Sequence, residues 1–416
     1  MSHQNPGRIQ CINQTILIAA LLLSILTGCE KKPGDDPDPD LVPTFTYRIV
    51  DTGIETFYGN HDVIDEPGPG DPFHGQDAHY KGNPPAYEEN DDGTVTDLVT
   101  GLMWQQDMGE KMTFEEAELA VVKVEFAGYN DWRIPTLKEL YSLIRFTGLN
   151  GGSPESSILF INSGLFDQPW GDTGAGERYI DAQTWSATEY VGTTMNGDET
   201  VFGVNFVDGR IKGYPVFRPG TSESNKMYFR MVRGNPSYGK NDFRDNSDST
   251  ISDLATGLMW QQADDGLARN WEDALEYAES LELAGFSNWR LPNTKELHSL
   301  VDYMKAPDVT GTPAIDGMFY CTEITDPAGN SGQYPYYWTC TTHLDGQDPE
   351  NSAVYIAFGE AQGLMQDQLL DVHGAGAQRS DPKNGDPGDY PAYWGPQGDV
   401  RYVYNYVRCV RDIDVD

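Results

Sequence analysis

Three stretches of this 416-residue chain carry side chains whose types and spacing could do chemistry. The first, His373-Gly-Ala-Gly-Ala-Gln-Arg379-Ser-Asp-Pro-Lys383, joins glycines that could turn backbone amides inward with two cations, a composition suited to a small anion such as a carboxylate or an acidic sugar. It neither follows a strand nor opens a helix as a phosphate loop does, so a nucleotide is not indicated. The competing reading is an elaborate loop in which Arg379 is held to a nearby acid. The second stretch, Asn90-Asp-Asp-Gly-Thr-Val-Thr-Asp97, clusters oxygen ligands that suit a hard cation such as calcium. Counted from Glu88, however, the acid that should close an EF-hand loop falls on Val99, and Asp245-Asn-Ser-Asp-Ser249 later in the chain lacks the glycine. An Asx-rich turn leading into a strand accounts for it. In the third, His74, Asp77 and His79 could ligate a metal, against solvated loop side chains as the alternative. No metal ligand is assigned, and calcium is the one cofactor kept open.

Aromatic rings in irregular stretches extend the first candidate. Trp394, Tyr336 and Tyr337, with Trp170 and Tyr334, lie where exposed rings could stack on sugars, so the candidate ligand site comprises His373, Arg379, Lys383, Trp394, Tyr336 and Tyr337. No Ser/His/Asp order, zinc spacing, paired catalytic carboxylate or Cys-x-x-Cys recurs in equivalent places, so no catalytic constellation is read. Among the five cysteines, Cys29 follows an apolar run and Leu26-Thr-Gly, which resembles the lipobox of bacterial lipoprotein signal peptides. This implies lipidation at Cys29, removal of residues 1–28 and a Pro/Asp-rich tether over 29–44, with Glu30 suggesting export to the outer membrane or cell surface. In an exported protein Cys321 and Cys340, which enclose a Gly/Pro-rich loop, are the preferred disulfide pair, leaving Cys409 free beside a strand.

These groups must be positioned by a sequence that says the same thing twice. Thr94-Val-Thr-Asp97, Thr100-Gly-Leu-Met-Trp-Gln-Gln106, Asp131-Trp-Arg-Ile-Pro135 and Lys138-Glu-Leu140 return as Thr250-Ile-Ser-Asp253, Thr256-Gly-Leu-Met-Trp-Gln-Gln262, Asn288-Trp-Arg-Leu-Pro292 and Lys295-Glu-Leu297. The period is too long for a solenoid unit, so each copy is predicted to be a domain with its own core, over 91–235 and 241–412. Residues 45–90 read as an irregular prelude packed on the first repeat. Each repeat opens with a hairpin, followed by two helices marked by Thr113/Glu116, Asn270/Asp273, Thr136/Glu139 and Asn293/Glu296 as capping pairs. A long loop region and antiparallel strands complete it, an α+β plan. Trp104, Trp132 and Trp185 recur as Trp260, Trp289 and Trp338, which marks them as core. The formal net charge of −37 keeps the chain soluble and argues against nucleic acid or sulfated polyanions as partners.

Thr-Gly-Leu-Met-Trp, Trp-Arg-Leu-Pro-x-x-x-Glu-Leu, Tyr-Trp-Thr and the closing Tyr406-Val-Arg-Cys-Val-Arg411 together resemble the domain family at the C-terminus of the Legionella collagen-like adhesin, over residues 90–412. The resemblance implies two tandem C-type-lectin-like domains in a noncatalytic envelope or surface protein that binds a glycan or protein ligand. Its alternatives are an enzyme using the 373–383 loop and a structural envelope component, and membrane contact is expected through the lipid anchor only. Many members pair a first-helix cysteine with one in the last strand; here those positions are Val121 and Met231, then Ala278 and Cys409. A remoter similarity, to the formylglycine-generating enzymes, fails because the first repeat has no cysteine. The unequal loops place any single working site in residues 303–400.

Overall fold

Two copies of one pattern could fold as two beads on a string or as one body, and the computed structural model, which describes residues 45–414, gives one body over Thr44–Asp416. Cys29, the leader and the tether lie outside the described residues. The prelude contributes β1 (Phe57–Tyr58), β2 (Val63–Ile64) and β3 (Tyr87–Glu89). The first repeat follows as β4 (Thr94–Asp97), β5 (Leu102–Gln105), α1 (Phe114–Val122), α2 (Leu137–Ser142), β6 (Thr184–Glu189), β7 (Thr200–Asn205), β8 (Arg210–Pro215), β9 (Tyr228–Phe229) and β10 (Val232–Gly234). The second repeats the order as β11 (Phe243–Asp245), β12 (Thr250–Asp253), β13 (Leu258–Gln261), α3 (Trp271–Ser280), α4 (Thr294–Ser299), the single turn α5 (Pro307–Thr310), β14 (Tyr336–Thr342) and β15 (Ser352–Ala357). It then inserts β16 (Gln362–Met365) and β17 (Gln368–Asp371) before β18 (Gln378–Pro382), and β19 (Tyr393–Trp394) and β20 (Asp399–Val400) before β21 (Val410–Asp412).

Local chemistry starts each helix where the sequence predicts. Thr113, Thr136 and Asn293 close reciprocal capping boxes with Glu116, Glu139 and Glu296. Asn270 accepts from the Asp273 amide, but the reciprocal bond is missing, since an aspartate is one methylene shorter than the glutamate that makes it elsewhere. The two runs read as closing strands each serve two sheets. β9 pairs parallel with β6 and β10 antiparallel with β5, because Arg230 between them turns inward to donate to the carbonyls of Gln105, Gln106 and Asp167. Arg408 does the same for Gln261, Gln262 and Tyr320.

The central sheet is a palindrome, β14-β15-β18-β8-β7-β6-β9. Strands β6, β7 and β8 correspond to β14, β15 and β18, so the two repeats meet edge to edge where β8 and β18 pair antiparallel at Ile211 and Gln378. Helices α2 and α4 cross above this seam in the same reciprocal way. The Lys138 ammonium donates to the Ser299 carbonyl at 2.7 Å, and its counterpart Lys295 donates to the Ser142 carbonyl at 2.9 Å. The rings of Tyr141 and His298, again counterparts, lie 4.5 Å apart between them. That is the signature of a two-fold axis, here internal to one chain.

Separate cores are therefore only half of the outcome. The first repeat has its own cluster around Phe114, Trp132, Trp185 and Met231, and the second around Trp271, Trp289, Trp338 and Cys409. The larger cluster belongs to both: Trp104, Leu140, Phe146 and Phe202 pack with Trp260, Leu297, Tyr303 and Phe358. All six recurring tryptophans are buried.

One expectation is widened and one corrected. The prelude packs on both repeats: β3 pairs with β4 of the first and the Phe146 amide donates to the Thr52 carbonyl, while on the second Thr341 donates to Asp77 at 2.6 Å, Lys383 to the Gly59 carbonyl at 3.1 Å, Tyr80 to Glu279, and Phe73 lies 6.3 Å from Trp271. The first repeat cannot offer the same partners, since Val216 stands where register places Lys383 and Val122 where helix position places Glu279. Second, Cys321 and Cys340 are not bonded, and all three cysteines beyond residue 45 are free thiols. Alternate residues of β14 face opposite sides, which puts Cys340 in the second repeat's cluster, while Cys321 sits with Tyr337 on the shared one beside Arg408.

Asp77 gives this architecture a pH signature. Burial pushes its carboxyl up to about 7, and the bond from the Thr341 hydroxyl offsets only part of that rise. A folded pKa above the unfolded value of about 3.9 means that the contribution to stability is complete below that value and disappears as pH rises through 7. Between pH 4 and 8 the wild type should therefore lose up to about 4 kcal/mol relative to Asp77→Asn, measured by denaturant unfolding. A difference independent of pH would mean that Asp77 titrates as an exposed aspartate does.

Candidate functional site

The second repeat's insertions build a roof over the seam. Strands β17, β16, β20 and β19 form a small sheet with no counterpart in the first repeat. It hangs beside the central sheet and encloses a cleft of about 470 Å³. The floor is Tyr355 on β15 and Arg379, Ser380 and Asp381 on β18; Arg210 reaches in from β8 of the first repeat. Asp345 and Asp348 stand on one wall, and Tyr390, Trp394, Asp399 and Arg401 on the other.

Arg210 and Arg379 inside the cleft are paired with carboxylates. Asp399 bonds Arg379 and accepts from His373 Nε2 at 2.9 Å. Burial would raise the Asp399 carboxyl, but Arg379 and His373 outweigh it and hold it well below the usual carboxylate range. Burial pulls His373 down to about 4 despite Asp399, so at neutral pH the ring is an uncharged donor that fixes the carboxylate from behind. Across the seam, Arg210 bonds Asp345 at 2.5 Å, and Asn150 of the first repeat bonds the other carboxylate oxygen at the same distance. Arg401 instead lies 4.9 Å from the Trp394 ring centre and 5.5 Å from that of Tyr390. Trp394 is 58% exposed.

Of the residues proposed from sequence, the structure brings Arg379 and Trp394 together on the cleft and places His373 directly behind it. The other three lie elsewhere. Lys383 is buried 4.4 Å from the Trp271 ring, where it anchors the prelude. Tyr337 is core and donates to Asp264. Tyr336 is core too, stacked at 4.3 Å under Tyr355 as the support of the cleft floor. Nor do the glycines turn amides toward a ligand: Gly374 donates to Asp371 and Gly376 to the Ala357 carbonyl. Both have φ near +90°; a Cβ on Gly374 would strike Phe202 of the first repeat and one on Gly376 would strike Tyr303 of the second, so these glycines serve close packing in the shared core. Arg210, Asp345, Asp399 and Arg401 were not foreseen. The latter two follow Trp394 closely enough in sequence to have been found by the same reasoning; Arg210 and Asp345 needed the seam.

The remaining candidates resolve into turns. Asp92 accepts from the Thr94 amide and hydroxyl and Asp97 from the amides of Val99 and Thr100, and Asp248 and Asp253 repeat the pattern in the second copy. His74 and His79 both contact the Pro67 carbonyl, while Asp77 points away to Thr341. Among the described residues no group of three or more His, Cys, Asp or Glu is placed to hold a metal, and no helix is long and apolar enough to cross a membrane.

Comparison with known families places the chain. The model of the Lcl C-terminal domain matches twice, over residues 93–233 and 249–372. The second match ends just before His373, although β18 and β21 beyond it repeat β8 and β10 in the fold. No curated protein and no solved structure matches.

Asp399 and Trp394 should separate structure from surface. Removing one partner of a largely buried ion pair typically costs about 3–5 kcal/mol, so Asp399→Ala should destabilise the fold by that order. Trp394→Ala, at an exposed position, should stay within about 0.5 kcal/mol of wild type. Denaturant unfolding of both variants checks the contrast, and equal losses would contradict it.

Proposed function

The chain belongs to the Lcl C-terminal domain family in two copies, and from that premise we propose that it is an adhesin-like, noncatalytic surface protein whose fused lectin-like domains present one glycan-binding cleft. The observation that carries this reading is the exposed Trp394 beside a row of arginine–carboxylate pairs. An indole face with a neighbouring tyrosine offers a platform for the apolar face of a sugar ring. Fixed pairs of donors and acceptors suit adjacent hydroxyls, which both give and take hydrogen bonds.

Because Arg379 and Arg210 are already neutralised by Asp399 and Asp345, the cleft favours a neutral, hydroxyl-rich glycan over a carboxylated or sulfated one. The net charge of −37 points the same way. The sequence around Cys29 supports presentation of the domains from a lipid anchor on the bacterial envelope, at the outer membrane or cell surface.

A glycan array probed with the full chain, with and without calcium, tests the reading. Selective binding to neutral glycans is expected, lost in Trp394→Ala with an unchanged melting temperature. Binding that survives this substitution, or that is confined to sulfated glycans, overturns it.

A further inference from the structure

The internal two-fold axis makes every surface of one repeat a control for the other, and apart from the roof one pair of surfaces does not match. On the second repeat, residues 69–83 of the prelude run across α3 and the end of β14. Asp77 takes the Thr341 hydroxyl at 2.6 Å, the Tyr80 ring lies 5.2 Å from the Arg290 guanidinium, and Tyr80 donates to Glu279. Cys340 and Thr341 are buried beneath this segment.

The first repeat keeps part of that seat, and among the described residues nothing covers it. Thr188 corresponds to Thr341, since each accepts from the first amide of the second helix of its repeat, Leu137 at 2.9 Å and Thr294 at 3.0 Å. Arg133 corresponds to Arg290, each bonded to the capping glutamate of that helix. Ala187, the counterpart of buried Cys340, is exposed, and Thr188 is half-buried. Helix α1 changes most: Leu119 and Val122 stand where α3 has Glu276 and Glu279, and they are 59% and 78% exposed. Beside the N-terminal end of α2 lies an open groove of about 520 Å³, lined by Arg133, Glu139, Ala187, Thr188, Lys240 and Asp302.

We propose that this face of the first repeat receives an extended segment of a second protein, seated as residues 69–83 are seated on the second repeat. The occupied copy defines the segment's chemistry. An acidic side chain meets the Thr188 hydroxyl; the groove's own acids are already paired, Glu139 with Arg133 and Asp302 with Lys305, and the exposed Lys240 supplies the complementary charge. Three residues later an aromatic ring covers Arg133 and rests on Val122. Since Val122 cannot accept the hydrogen bond that Glu279 accepts, the first repeat selects phenylalanine where the second selects tyrosine. Leu119 adds apolar contact that Glu276 does not.

The probe is a synthetic peptide of residues 69–83 carrying Tyr80→Phe, titrated into the full chain and followed by fluorescence anisotropy. Saturable binding is expected. It should be abolished by Ala187→Trp, which fills the groove, and weakened by about tenfold when the peptide also carries Asp77→Ala, the scale of one lost hydrogen bond. The parent tyrosine peptide should bind no better than the phenylalanine one. No binding, or binding indifferent to Ala187→Trp, overturns the proposal. If Ala187→Trp lowers the melting temperature, Val122→Glu serves as the second variant: it restores the acceptor of the second repeat and should reverse the preference to tyrosine, and an unreversed preference overturns the proposal as well.

Discussion

Everything in this molecule hangs on the crossing of α2 and α4. Two lysines that would ordinarily be solvated are drawn in there, Lys295 buried and Lys138 half-buried, each bonded to the carbonyl at the other helix's C-terminal end. Burial pulls Lys138 down to about 8 and Lys295 to about 7, the cost of taking an ammonium out of water. That cost is offset by what the crossing permits. A carbonyl at a helix C-terminus has no partner within its own helix and carries the negative end of the helix dipole, so each lysine satisfies a group that the partner's fold leaves open. The arrangement is isologous, and a single change in the duplicated unit would have created both contacts.

The crossing also decides what happens to the sheets. Strand β8, or β18, alone would end its sheet with a row of unpaired amides and carbonyls, the kind of edge that invites aggregation. Setting the two edges against each other, paired at Ile211 and Gln378 and with the Gly213 amide on the His373 carbonyl, covers both and buries Phe202 and Phe206 against Tyr303 and Phe358 in a core that neither repeat could enclose by itself. The same fusion accounts for the absent helix-to-strand disulfide. Val121 packs on the cluster that holds Met231, and Ala278 shares a cluster with Cys409, so the positions still touch but no bond joins them. A bridge in a small exported domain is typically worth about 2–5 kcal/mol. The shared core supplies an alternative source of that stability.

Local order was legible in the sequence because its causes are local. Thr136 with Glu139 and Asn293 with Glu296 declare their helices within four residues, and the repeated tryptophans declare their burial by recurring. What could not be read depends on distant pairing. Nothing near Arg210 says that it will face Asp345, because their meeting requires β8 to find β18. Lys383 looked like a ligand group by type and neighbourhood, yet Gly59, far away in the prelude, claims it. Tyr336 and Tyr337 seemed to lie in a loop region because the Gly/Pro-rich run before them hides the start of β14. Once they are in a strand, alternation sends one to each core.

Duplication followed by fusion has a consequence for where a site can arise. The axis itself is crowded with counterparts, Tyr141 against His298 and Lys138 beside Lys295, so any change there strikes both halves. A surface away from the axis is free to differ between copies, and the chain has used that freedom twice. The second repeat added the roof of four short strands, and with it a cleft whose wall includes Arg210 from its partner; the first kept a bare flank where the second is covered by the prelude. In both places the scaffold is common and the difference lies in what covers it. Asymmetry of covering, on a symmetric frame, is the physical form that functional divergence takes here.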